Sequence, residues 1–504
     1  MQHQQSGRLA ESERVCRGIL AQDPHHPYAL QLLAILAGQV GKIDLAIELT
    51  QSAITSNPNE AFFHSNLAKY LIDAGHYEDA RLAACRAISL NPGNADAFLN
   101  RGIALQALGR GDEAATDYQR AIQLQPAMAK AYANLSNIYK DAGQIDEAVT
   151  CLRKAVAVAP DLSSAHSNLV YNLILDPKQD AGNIYREHCL WNRHHAMPLA
   201  HFIQPHINDR LPHRRLRVGY VSPDFFEHVV GFNLLPLFRE HDHSQFEIYC
   251  YACVSHPDAL TQRFQALCDV WRPVAGLSDE QLSAQIREDR IDILVDLTLH
   301  LTHNRLRMFA RKPAPVQVTF AGYPGTTGVD AIDYRLTDPY LDPPGMSESH
   351  YSEKTIRLPH SFWCYDPHTS AASTDTGPPP SLANGLITFG CLNNFCKVNS
   401  ETIRLWSNVL AAVPNSHLLL LAPEGDHRRR AVEQFNIQGI TADRIMFTRH
   451  LPRAEYFNMY RRIDIGLDTL PYNGHTTSLD SLWMGVPVVT LVGHTVVGRA
   501  GLSQ

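Results

Sequence analysis

Three groups of residues in this chain have the types and spacing for chemistry on an anion. The segment Asp468-Thr-Leu-Pro-Tyr-Asn-Gly-His-Thr-Thr-Ser-Leu-Asp480 leaves an apolar, strand-like run and enters a helical one, with Asn473-Gly474 as the turn between them. His475, Thr476 and Thr477 then fall at a helix start. Backbone N–H groups lack intrahelical partners there, and the positive end of the dipole favours an anion such as pyrophosphate. The two threonine hydroxyls add donors. Thr477 and Asp480, three residues apart, equally fit a capping box that needs no ligand. Lys397, in Asn393-Asn-Phe-Cys-Lys, is placed to give a point charge to phosphate, and Asn394 could bind a diphosphate or a sugar hydroxyl. A loop lysine is equally at home in water. His228 ends Ser222-Pro-Asp-Phe-Phe-Glu-His, where an imidazole can act as general base. With 26 histidines in the chain, one of them carries little weight alone.

These residues need elements to hold them, and the second part of the chain has the rhythm of alternating strands and helices. Strand-like runs at 216–221, 246–252, 291–297, 316–321 and 334–337 are separated by helical stretches such as 258–269 and 278–289. A Pro/Ser/Thr/Gly-rich stretch, 366–381, reads as a linker. A second set of strands follows at 386–391, 417–421, 445–448, 463–467 and 486–491, with helices near 400–413, 427–435, 453–461 and 477–484. Such alternation predicts two parallel, doubly wound sheets with a ligand cleft between them at strand carboxyl ends. His228, Lys397 and the 468–480 segment each follow a strand, which is where such a cleft takes its residues.

The first third has a different period. Pro24, Pro58, Pro92, Pro126 and Pro160 lie 34 residues apart, as do Gly41, Gly75, Gly109 and Gly143. Ala46, Ala80, Ala114 and Ala148 keep the interval, and so do Ala53, Ala87, Ala121 and Ala155. Small residues let antiparallel helices approach, glycine relieves the turn between them, and proline ends the second helix. The pattern resembles the tetratricopeptide repeat, with Leu33, Leu67 and Leu135 at its core leucine position and Arg101 as the exception. Residues 1–24 read as the second helix of an earlier repeat, which implies further repeats upstream. Pro177 takes the glycine position where the array ends. Asn66, Asn100, Asn134 and Asn168 also recur, each just before the core-leucine position. Such a ladder of amides on a concave face can bind the backbone of an extended peptide, or it can bond locally within the stack.

Composition narrows the classes. Apolar residues at 45% and charged residues at 19% suit a folded chain, and 504 residues exceed one compact core. The net charge of -7, without a local basic patch, argues against nucleic acid as a partner. The ten cysteines are scattered. Cys250 and Cys253 form the one Cys-x-x-Cys, inside a strand-like run and without a second pair, so no metal site is expected. A polar N-terminus and no long apolar run exclude a signal peptide and a membrane span, and point to the cytoplasm.

The repeats are followed in order by Arg217-Val-Gly-Tyr-Val-Ser-Pro-Asp-Phe, Arg311-Lys-Pro-Ala-Pro-Val-Gln, Gly322-Tyr-Pro-Gly-Thr-Thr-Gly, Tyr351-Ser-Glu-Lys and Asn473-Gly-His-Thr-Thr. Together they resemble the O-linked N-acetylglucosamine transferase family, which includes a SPINDLY-like branch, over nearly the whole chain. The resemblance implies an N-terminal α-solenoid joined to a GT-B fold of two Rossmann-like domains. The domains expected are a solenoid at 1–177, linker helices at 178–212, a first lobe at 213–380 and a nucleotide-sugar lobe at 381–504 that looks truncated. It further implies inverting, metal-independent transfer of N-acetylglucosamine from UDP-GlcNAc to protein serine or threonine. The alternatives are O-fucosyl transfer from GDP-fucose and a repeat scaffold whose transferase half is degenerate.

Carried over by position, Lys397, His475, Thr476 and Thr477 would hold the diphosphate, with Asn394 beside them. Asp480 would bind the ribose. Leu451, Pro452 and Arg453 would frame the base, with Tyr456 nearby. Arg453, Tyr456 and Asn394 stand where the animal enzymes resemble a lysine, a histidine and a glutamine. His228 matches a histidine proposed as base, and proton transfer to the donor's own phosphate is the other route. Asn66, Asn100, Asn134 and Asn168 become an acceptor-peptide track.

Overall fold

The computed structural model describes residues 2–211, 213–367 and 376–504, with side chains from residue 10 onward. The expected linker at 366–381 therefore lies partly outside the described residues. The chain divides into two compact units, residues 1–139 and residues 140–504.

The first unit is all helix. Helices ending at Gln22, Ser56, Leu90 and Leu124 each stop two residues before Pro24, Pro58, Pro92 and Pro126. The residue before a proline is pushed out of the helical region, so the period of prolines sets the period of helix ends. Ala46, Ala80 and Ala114, with Ala53, Ala87 and Ala121, have no solvent exposure, because they are where the paired helices touch. Gly41, Gly75 and Gly109 turn the chain with φ of 77°, 79° and 76°, a left-handed backbone that a side chain disfavours.

Arg101, the exception at the leucine position, is held by a two-pronged bond to Asp117 at 2.6 and 2.7 Å. Asp117 is buried, so the third repeat replaces an apolar contact with an ion pair across the hairpin. The recurring asparagines differ among themselves. The Asn100 amide donates to the Ser65 carbonyl at 3.0 Å, which is the local, repeat-stacking alternative. Asn66 and Asn134 are half-buried; Asn134 bonds to Tyr118, and the Nδ2 of Asn66 has no partner among the described residues.

The second unit opens with a hairpin of the same kind, helices Ile145–Val158 and Ser163–Leu175, which carries the half-buried Asn168. The helix Ala181–Trp191 and two short turns of helix to Phe202 lead into the first sheet. Its strands are β1 (Leu216–Ser222), β2 (Phe246–Ala252), β3 (Val270–Pro273), β4 (Ile293–Asp296), β5 (Val316–Thr319), β6 (Tyr334–Thr337) and β7 (Lys354–Arg357). All pair in parallel, in the order β3-β2-β1-β4-β5-β6-β7. The second sheet holds β8 (Ile387–Cys391), β9 (Ser416–Leu421), β10 (Ile445–Thr448), β11 (Ile465–Leu467) and β12 (Val488–Val489), ordered β10-β9-β8-β11-β12, again parallel.

Both faces of the first sheet are covered. Tyr249 and Tyr251 of β2 point into one core with Leu294 and Phe309, while Ile248 and Cys250 point into the other with Phe238 and Phe264. This double burial explains why the strands read as unbroken apolar runs and not as alternating ones. Short β3 and the half-exposed edge strand β7 (Lys-Thr-Ile-Arg) have no such run, and sequence periodicity passed over them. The run at 486–491 forms only the two-residue β12.

In each sheet the chain reverses direction of travel at one point, between β1 and β4 and between β8 and β11. Loops leaving neighbouring strands diverge there and open a crevice. His228 follows β1, Lys397 follows β8, and the 468–480 segment follows β11. The fold therefore brings all three candidate groups to the two switch points.

Candidate functional site

A cleft of about 660 Å³ lies between the lobes, within the range of small-molecule sites. Its lining includes His228 and Asn233 from the first lobe and Asn394, Lys397, Leu451, Arg453, Tyr456, His475, Thr476, Thr477 and Asp480 from the second. Of the donor-site residues read from sequence, only Pro452 is outside the lining. It is exposed and starts the helix Arg453–Tyr460 that carries Arg453 and Tyr456 into the cleft. Asn394 is exposed at the cleft edge, and its side-chain oxygen accepts from the Cys396 amide at 3.4 Å.

Lys397 ends a single turn of 3-10 helix, Phe395–Lys397, directly after β8. Its ammonium donates to the Asn473 carbonyl at 2.7 Å and stands 4.0 Å from the centre of the Tyr472 ring. Among the described residues no carboxylate is bonded to it. Enclosure pushes its pKa down to about 8, and the acidic groups of Cys396, Asp468 and Cys391 offset only part of that effect. A cation held this way has charge to give an incoming anion.

Across from it, the helix Thr476–Trp483 begins at the turn that Asn473 and Gly474 make. Asp468 ties that turn down. Its carboxylate accepts from the Gly474 amide at 2.6 Å, the Thr469 amide at 2.8 Å and the Thr490 hydroxyl at 2.7 Å. The first amides of the helix, at Thr476 and Thr477, have no intrahelical partner and form the positive end of its dipole. The Thr476 hydroxyl accepts from Asn233 of the first lobe at 2.9 Å, a bond that crosses the cleft.

His475 is the N-cap residue, so the alternative capping box does not form. Thr477 sits inside the helix and donates its hydroxyl to Asn393, and the Asp480 carboxylate is bonded elsewhere. The His475 ring packs on Trp363 and Tyr472, with centroids 5.0 and 4.7 Å away. Burial, reinforced by the charge of Lys397, holds its pKa well below the usual range, so the ring meets an anion as a neutral group.

Asp480 is the hub of the far end. It accepts from Arg453 at 2.6 and 2.9 Å, from Tyr365 at 2.6 Å and from Tyr456 at 3.0 Å. A carboxylate has about four acceptor positions, and four bonds fill them. A ribose hydroxyl at Asp480 would therefore share or replace one of these partners. The Arg453 guanidinium lies 5.1 Å from the Phe232 ring centre and 4.3 Å from that of Phe457, which makes a flat cationic-aromatic wall.

His228 caps the helix Val229–Arg239, where its Nδ1 accepts from the Val230 amide at 3.4 Å. The same nitrogen lies 3.5 Å from Asp224 Oδ1. The two contacts call for opposite tautomers. Only when Nδ1–H faces Asp224 is Nε2 free to take a proton.

Sequence reading missed several members of this site. Asn393 links β8 to the 468–480 turn, donating to Thr469 at 2.9 Å and to Asp468 at 3.3 Å. Its place beside Asn394 was the available signal. Asn233, Phe232, Trp363, Tyr365 and Tyr171 come from three separate stretches, and nothing in their local sequence marks them. Among the described residues no cluster of three or more histidine, cysteine or carboxylate groups could hold a metal ion. Cys250 and Cys253 are buried, free thiols. No described helix is long and apolar enough to cross a membrane.

A tetratricopeptide-type solenoid followed by two parallel Rossmann-like lobes around a cleft defines a repeat-bearing GT-B protein. The chain matches glycosyl transferase family 41 over residues 158–373 and 379–504, and it belongs to that family. Tetratricopeptide repeat families match residues 65–129 and 105–170. A solved structure titled as a Thermobaculum terrenum O-GlcNAc transferase mutant superposes with a TM-score of 0.81 at 36% identity, covering 88% of this chain and 84% of that one.

Among curated proteins, the chain is 40% identical over 304 residues to a Petunia hybrida protein named as a probable UDP-N-acetylglucosamine–peptide N-acetylglucosaminyltransferase SPINDLY, covering 59% of this chain and 32% of that one. It is 33% identical over 321 residues to the Arabidopsis thaliana protein of the same description named SEC, covering 61% of this chain and 32% of that one. The chain thus spans about a third of the length of these curated relatives.

Proposed function

We propose that this chain transfers a sugar from a nucleotide diphosphate-sugar to serine or threonine hydroxyls of protein acceptors, with UDP-GlcNAc as donor. The observation that carries the reading is the juxtaposition of Lys397 with the start of the Thr476–Trp483 helix in one cleft, facing His228 from the other lobe. The names borne by the relatives support the choice of donor.

In the reaction proposed, the acceptor oxygen attacks the anomeric carbon from the side opposite the diphosphate, and the bond from that carbon to the phosphate oxygen breaks. The diphosphate leaves with the bonding electrons. Charge grows on it in the transition state, where the Lys397 ammonium and the amides of Thr476 and Thr477 stabilise it most. The hydroxyl proton passes to His228 Nε2, with Asp224 holding the Nδ1–H tautomer. Arg453, Tyr456 and Asp480 frame the nucleoside. Acceptor protein is held along the repeats, with Asn66 and Asn168 as the amides that remain for the task, since Asn134 bonds to Tyr118 within the stack.

The test is turnover of UDP-GlcNAc with a protein acceptor by the parent chain and by Lys397→Ala. Release of UDP coupled to acceptor glycosylation, lost in the variant, is expected. Equal turnover by the two would remove Lys397 from the site. A second reading, O-fucosyl transfer from GDP-fucose, draws on Arg453 and Tyr456, which fill the base end differently from the animal enzymes they resemble. Stronger thermal stabilisation by GDP than by UDP would decide for it. A cleft that binds neither nucleotide would decide for a scaffold.

A further inference from the structure

The four repeat glycines share one conformation but not one environment. At Gly41, Gly75 and Gly109 an added Cβ would meet nothing within 4 Å among the described residues. Gly143 has the same left-handed backbone, with φ of 70°, yet a Cβ there would stand 2.6 Å from the Val398 carbonyl oxygen and 3.5 Å from both the Phe395 carbonyl and the Phe395 ring. The first of these distances is closer than real Cβ contacts allow, and its target is backbone, which cannot rotate away.

Residues 395–398 are the turn that carries Lys397. It is closed by the Val398 amide on the Phe395 carbonyl at 2.9 Å and by the Lys397 amide on the Asn394 carbonyl at 3.0 Å. Its next residue inward, Cys396, packs in one core with Ile145, Leu152 and Leu169 of the hairpin and with Tyr472, the ring beneath the Lys397 ammonium. The last hairpin and the lysine turn are thus seated on each other, and at Gly143 they approach too closely for a side chain to fit.

We propose that Gly143 is a positioning residue of the donor site: its missing side chain sets how deeply the 395–398 turn sits, and so where the Lys397 ammonium stands. The other repeat glycines serve only the turn. This inference rests on the reading of Lys397 as the diphosphate ligand.

The test uses the full chain with Gly143→Asn and Gly109→Asn, because asparagine tolerates a left-handed backbone while still carrying a Cβ. The readouts are the affinity for UDP and GDP by calorimetry and the pH midpoint at which that affinity is lost. Gly109→Asn should bind within twofold of the parent with the same midpoint. Gly143→Asn should bind at least tenfold more weakly, with its midpoint moved up from about 8 because a displaced Lys397 is less enclosed. A merely structural lesion would lower the folded fraction and leave the midpoint in place.

Equal affinities and midpoints in the two variants would overturn the proposal. So would a Gly143→Asn chain that fails to fold where Gly109→Asn folds. If the parent binds neither nucleotide, the reading of Lys397 falls, and the inference falls with it.

Discussion

The titration of Lys397 gives the sharpest prediction. In the free protein its pKa is lowered from 10.5 to about 8 because the ammonium is enclosed, an effect that Cys396, Asp468 and Cys391 only partly offset. The charged form binds a diphosphate, so affinity is complete below the depressed pKa and is lost as pH rises through it. With a pKa near 8, roughly nine-tenths of the lysine is charged at pH 7 and roughly one-tenth at pH 9. Nucleotide affinity should therefore fall about tenfold over that interval, about 1.4 kcal/mol. An ordinary lysine near 10.4 would lose almost nothing by pH 9. Terminal phosphates titrate near about 6 and stay ionised over the range, while the base N–H of UDP or GDP begins to ionise at its upper end, so the lysine's contribution is the fall in the parent beyond that in Lys397→Ala. Calorimetry with UDP and GDP at pH 7, 8 and 9 measures the effect, with Lys397→Ala as the control that lacks the lysine's share of the dependence. A flat profile in the parent, or the same fall in Lys397→Ala, would refute the argument.

Four further outcomes follow from particular contacts. Asp480→Asn removes the charge that Arg453 is bonded to and should lower stability by roughly 3 kcal/mol in urea unfolding, as breaking an enclosed pair does. His228→Ala and Asp224→Asn should both abolish most transfer while leaving UDP affinity unchanged. Lost affinity in either would mark a structural role instead. Arg101→Leu alone strands buried Asp117 and should cost about 3 kcal/mol, whereas Arg101→Leu with Asp117→Ala, which restores the apolar pair of the second repeat, should be neutral or stabilising in the same assay. Asn66→Ala with Asn168→Ala should weaken transfer to protein acceptors and spare nucleotide binding. Asn100→Ala should instead lower stability by about 1 kcal/mol, since its amide is spent on Ser65.

The periodic features of this protein were legible without coordinates because each is enforced locally. Proline excludes helix from the residue before it, glycine alone adopts the turn conformation at no cost, and alanine fits where two helices touch. The 34-residue spacing therefore marked helix ends, turns and contact points directly. Strands buried on both faces betrayed themselves as apolar runs, and the residues just after them marked the switch points where Lys397, His228 and the 468–480 turn lie.

Partnership was decided only by the tertiary structure. Whether Thr477 and Asp480 cap a helix or bond to Asn393, Arg453 and two tyrosines depends on which loops the two sheets bring together, and no spacing along the chain encodes it. The depressed pKa of Lys397 likewise belongs to an enclosure that joins the residues after β8 to the 468–480 turn. Local chemistry sets what each segment becomes, while desolvation and hydrogen-bond competition among distant segments set what each side chain is free to do.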